Sequence, residues 1–125
     1  MTLRTLPVGI CALVFLAGCS SQVYTPASLK KMATSQNASD RETATYEMTK
    51  NYRSEYLPYL LQAMIDTDIS TRRAALRSIA NTKERKFIEA LKTIESYPDK
   101  TDAELATTAR KALEALPQEP ATPAK

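Results

Sequence analysis

Apolar residues recur along this chain at helical spacing, in short runs separated by polar turns. Leu57, Leu60, Leu61, Met64 and Ile65 fall at i, i+3, i+4, i+7 and i+8 and make one stripe. Asp66-Thr67-Asp68 interrupts it, and Ala75, Leu76, Ile79 and Ala80 form a narrower second stripe. The pattern predicts a helical hairpin over Tyr56–Ala80 with a tight acidic turn, its second helix capped by Asp68 or Ser70. Such a hairpin cannot bury its apolar faces alone and needs neighbours.

The flanking stretches supply them. Thr25-Pro26 reads as a helix start, followed by a weak stripe of Leu29, Met32, Ala33 and Gln36. Ser39-x-x-Glu42 reads as a capping box opening a helix with Ala44, Met48 and Tyr52 on one face. Beyond the central hairpin, Asn81 with Glu84 marks a further start. Phe87, Ile88, Leu91 and Ile94 then form a strong stripe that ends at Tyr97-Pro98. Thr101-x-x-Glu104 is another capping box, before a stripe of Leu105, Ala109, Ala112, Leu113 and Leu116. Leu57 maps to Leu91, Leu60 to Ile94, Ala75 to Ala109 and Ile79 to Leu113, an internal period of 34 residues.

The order Leu57-Pro58, Leu60-Leu61, Asp66-x-Asp68, Arg72, Ala75, Ile79 resembles a HEAT repeat. The resemblance covers about one repeat well and the next in part. It implies an all-α, right-handed solenoid-like stack of about three hairpins, in which Asp66, Asp68 and Arg72 fasten the central turn. Position 106 is Ala where the first copy has Arg72, as expected of an atypical capping repeat.

Composition narrows the function. The chain has no His and two Cys, Cys11 and Cys19, so Ser-His and Cys-His nucleophilic pairs are excluded. The start is weakly positive at Arg4. An apolar run follows from Val8 to Leu16, too short to remain as a membrane span, and Leu16-Ala17-Gly18-Cys19 follows it. This order resembles the lipobox of bacterial lipoproteins. The resemblance implies cleavage after Gly18 and diacylglycerol transfer to the Cys19 thiol. An ordinary secretory signal with an incidental Cys is the competing reading. Ser20 in place of Asp resembles the pattern sent to the outer membrane in diderm bacteria. The expected layout is a signal peptide over 1–18, a tether over 19–25, a helical domain over 26–116 and a disordered Pro-rich tail over 117–125.

Both glycines, Gly9 and Gly18, fall within the signal, which disfavours phosphate-cradling loops and β-hairpins in the remainder. Asp66 and Asp68 lack the extra ligands and the Gly of a calcium loop, so they read as structural acceptors paired with Arg72. No metal or cofactor is expected. One uneven charge feature stands out: Arg72, Arg73, Arg77, Lys83, Arg85 and Lys86 oppose only Glu84. Arg73, Arg77, Arg85 and Lys86 are therefore candidates for an anionic partner, against the plainer reading of a solvated helix face. Tyr56 and Tyr59 are candidates for a protein contact, against packing between hairpins. The expected function is a non-catalytic, lipid-anchored adaptor that binds a protein in the cell envelope, with anionic envelope lipid as a second candidate partner. A structural subunit of a larger envelope assembly is the alternative. Nucleic acid is not an expected partner, since the charge is nearly balanced and the address is outside the cytoplasm.

Overall fold

Four of the six α-helices among the described residues start where a side chain accepts a free backbone N–H, and the other two continue directly from 3-10 turns. The computed structural model describes residues 23–118. The expected signal peptide, Cys19 and nearly all of the Pro-rich tail lie outside the described residues. Thr25 accepts the Ser28 N–H at 3.1 Å and Pro26 follows, opening α1 (Pro26–Ala33) as its sequence implies. Five more α-helices follow among the described residues: α2 (Ala38–Lys50), α3 (Leu57–Ala63), α4 (Ile69–Ser78), α5 (Ile88–Glu95) and α6 (Lys100–Glu114). Short 3-10 turns over Ser54–Tyr56 and Arg85–Phe87 lead into α3 and α5, and Ile79–Thr82 trails α4. The described residues include no strand, so the domain is all-α.

The caps correct two expectations. Asn37 accepts the Ser39 N–H at 3.0 Å, and Asp99 accepts the Asp102 N–H at 3.1 Å. Ser39 and Thr101 thus lie inside α2 and α6 instead of capping them. The central turn follows the sequence reading, with Asp68 accepting the Thr71 N–H at 2.8 Å. Asn81 starts no helix, because it lies in the 3-10 turn after α4. Lys83 then adopts a left-handed conformation (φ 54°), and Glu84 caps the turn into α5 by accepting the Lys86 N–H.

The caps also reset the period. Asp68 stands 31 residues after Asn37 and 31 before Asp99. At the same spacing, Leu29, Leu60 and Leu91 are all buried, and so are Ala44, Ala75 and Ala106. Tyr56 and Phe87 correspond likewise, each buried at the start of a first helix. The repeat is therefore 31 residues and includes the first hairpin, not 34 residues over two. Arg72 corresponds to Arg41 in the copy before and to Ala103 in the copy after.

Packing follows this order. α1 lies on α2, α3 on α4 and α5 on α6, while α2 packs on α4 and α4 on α6. The second helix of each pair thus touches the second helix of the next. One apolar cluster runs through all three pairs, from Leu29 through Leu60 and Leu76 to Leu113. The Tyr52 ring meets Phe87 edge-on at 5.9 Å and ties the first connection to the third pair. Three residues of the sequence stripes miss the core: Gln36 is exposed beyond the end of α1, Ile65 is 48% exposed at the turn after α3, and Ala112 is exposed on α6. Among the described residues, every buried side-chain N or O atom has a partner.

Candidate functional site

Arginines of the second helices bridge successive hairpins. Arg41 on α2 grips Asp66 with two bonds, Nε to Oδ2 at 2.9 Å and Nη2 to Oδ1 at 3.0 Å. Its Nη1 also donates to the Ser35 and Gln36 carbonyls of its own turn. Arg72 repeats the arrangement one copy on. Its Nη1 donates to the Asp66 carbonyl at 3.0 Å, and its Nε reaches Asp102 at 2.5 Å in the third hairpin. The expected pairing of the Asp66 and Asp68 carboxylates with Arg72 is therefore corrected. Asp66 binds Arg41 through its side chain, while Arg72 braces the turn through a backbone carbonyl. Asp68 is occupied by Thr71. The planar guanidinium suits this role, since it can donate to a carboxylate and a carbonyl at once.

The electrostatics follow. Burial opposes the Asp66 charge, but the Arg41 bonds and the Asp68 N–H outweigh it and hold the carboxyl below its ordinary range. Asp99 is also held low, first by the Asp102 N–H and then by Arg73. Glu95 is held low by its bidentate contact with Arg110.

These bonds remove half of the basic candidates from consideration. Arg73 donates to Asp102 at 3.1 Å and Asp99 at 3.2 Å, so it is an inter-helix brace and not a free surface cation. Arg85 donates to the Leu113 and Leu116 carbonyls, closing the end of α6. Arg77 and Lys86 are exposed, and neither side chain has a carboxylate partner among the described residues. Of these two, Arg77 lies in the last turn of α4 and Lys86 in the connection that precedes α5.

The tyrosines divide too. Tyr56 is only 3% exposed, so it is core and not a contact residue. Tyr59 is half-buried and lines a cleft of about 250 Å³ between the first two hairpins, with Met48 and Arg41 on its far wall. Tyr46, not singled out from the sequence as a contact residue, is 59% exposed on α2. It borders a shallow groove of about 320 Å³ lined also by Ser39, Glu42, Thr43 and Ala74. Tyr46 and Arg77 occupy equivalent places in successive repeats, and Arg77 lies one turn beyond Ala74 on the same helix face. The 31-residue alignment is the signal that could have paired them.

No group of three or more His, Cys, Asp or Glu among the described residues is arranged to hold a metal ion. No helix among them is long and apolar enough to cross a membrane. No family model matches the chain, and no curated protein matches it.

Proposed function

We propose that this chain is a lipid-anchored adaptor of the cell envelope, built as a short right-handed HEAT-like solenoid that binds a protein without catalysis. The 31-residue register and the α2–α4–α6 packing order support the solenoid reading. The observation that carries the binding reading is the exposed second-helix face. Tyr46 lines a groove there with Ser39, Thr43 and Ala74, and Arg77 follows Ala74 by one turn of the same helix. Small residues let a partner backbone approach closely, and Tyr and Arg are the side chains that most often anchor an interface.

The anchor would be Cys19, on the periplasmic face of the outer membrane if the source is a diderm. The Leu16-Ala17-Gly18-Cys19 sequence supports this part of the reading. Two variants separate the parts. Cys19→Ser should abolish acyl labelling, and unchanged acylation would remove the anchor. Tyr46→Ala with Arg77→Glu should leave the melt unchanged while capture of a crosslinked envelope protein drops. Undiminished capture by a normally folded double variant would remove this face as the binding surface.

A further inference from the structure

The helical hairpins give the domain two edges, and the two differ in charge. On one edge lie the turns inside each hairpin, with Asp40, Asp66, Asp68, Glu95, Asp99 and Asp102 beside Arg41, Arg72, Arg73 and Lys100. On the other lie the connections between hairpins, together with the start of α1 and the end of α6. Contacts show that these pieces adjoin. Val23 and Tyr24 share a cleft of about 360 Å³ with Glu47, Lys50, Asn51 and Arg53. The Tyr52 hydroxyl donates to Glu84 at 3.5 Å, joining the first connection to the second. Arg85 reaches the Leu113 and Leu116 carbonyls at the end of α6.

This second edge is basic. Residues 50–55 and 83–86 carry Lys50, Arg53, Lys83, Arg85 and Lys86 against Glu55 and Glu84. Arg85 is held by carbonyls, and Arg53 lies 3.8 Å from Glu55. Lys50, Lys83 and Lys86 are exposed with no carboxylate partner among the described residues. Helix dipoles do not call for these cations, because first helices begin and second helices end on the same edge and their terminal charges oppose. The bland alternative is an ordinary solvated edge. Against it stands the place where the described chain begins. Val23 follows Cys19 by four residues, a reach of at most about 14 Å even when fully extended. A lipid on Cys19 would hold this edge, of all parts of the body, nearest the bilayer.

We propose that the inter-hairpin edge is a membrane-facing surface that binds the anionic headgroups of a phospholipid bilayer through Lys50, Lys83 and Lys86. The proposal rests on the lipid-anchor reading for its orientation, but the lysines act without the lipid. The diacylglyceryl group would hold the chain at the bilayer, and adjacent cations would add attraction to anionic headgroups and set how the body lies there. The edge would also fix the orientation of the body, leaving the acidic turn edge pointing away from the membrane.

The test uses the chain from Ser20 onward, so that neither the apolar run over 8–16 nor a lipid contributes. It is sedimented with vesicles of phosphatidylcholine alone, or with roughly one-third phosphatidylglycerol. The chain should sediment with the anionic vesicles only, and less so as salt rises. Lys50→Gln, Lys83→Asn and Lys86→Gln together should weaken that binding by about fivefold each, on the order of a hundredfold in all. Asn is chosen at position 83 because it tolerates the left-handed backbone. The control replaces Lys31, Lys92 and Lys100 by Gln, which removes equal charge from elsewhere and should weaken binding far less. Equal loss in both triple variants, equal binding to both vesicle types, or no binding to anionic vesicles would each overturn the proposal. Acyl labelling of Cys19 in cells is read separately, so failure of the anchor is not confused with failure of the edge.

Discussion

Asp102 is the carboxylate on which two arginines of α4 converge, and it is buried at 2% exposure. Its loss would leave Arg72 and Arg73 without their main acceptor in a partly dry site. Asp102→Ala should cost about 2–4 kcal/mol, below the full penalty for breaking a buried pair because both arginines keep other acceptors. Glu89→Ala removes an exposed pair with Lys92 and should stay within about 0.5 kcal/mol. Urea unfolding of both variants checks the contrast. Acid should act through the same network. Asp66, Asp99 and Glu95 have depressed folded-state pKa values, so their contribution is present above the unfolded carboxylate range. It is lost as the pH falls through that range and then through the lower folded values. Melting temperature should hold from neutrality to about pH 5 and fall below about pH 4. A flat profile down to about pH 3 would show that the carboxylates contribute nothing. The acidic turn was legible in the sequence because its bonds are local. Arg41 gripping Asp66 from 25 residues away was not, since that contact exists only once two hairpins pack.

Helices were legible where their stripes were long, but their register was not. The 34-residue alignment differs from the 31-residue repeat by three positions, close to one helical turn, so an apolar stripe slid by three still overlies itself. Only features without helical periodicity break the tie. Asn37-Ala38-Ser39, Asp68-Ile69-Ser70 and Asp99-Lys100-Thr101 do so, each an Asx residue followed at i+2 by Ser or Thr. The Ser and Thr suggested capping boxes at positions 39 and 101, whereas the earlier Asn and Asp, stronger caps than Thr and at least equal to Ser, take the role. Asp99→Ala should therefore lower the melting temperature more than Thr101→Ala, and the reverse order would return the cap to Thr101. Fully buried Ala44, Ala75 and Ala106 mark the same register. Ala75→Leu should cost about 1–3 kcal/mol by overpacking, while Ala112→Leu on the exposed side of α6 should cost little.

For the whole molecule, three hairpins divide the surface into parts with different chemistry. The turn edge is acidic and largely engaged by arginine braces. The connection edge is basic. The face of the second helices offers Tyr46 and Arg77 beside small residues. The sequence showed that cations were uneven but not where they went, because periodicity places a residue on a helix face without saying which neighbour meets it. Arg73 and Arg85 were thereby grouped with Arg77 and Lys86, although the fold turns the first two inward. The third hairpin carries Ala103 where its predecessors carry Arg41 and Arg72, so the chain of arginine braces stops there. The most direct test of the adaptor account is site-specific photocrosslinking in cells. A crosslinking amino acid is placed in turn at Tyr46 on the second-helix face and at Lys92 on α5. The account predicts one discrete protein adduct from position 46, none from position 92, and loss of the adduct when Arg77→Glu is added to a chain that melts normally. The same adduct from both positions, or one indifferent to Arg77, would contradict it.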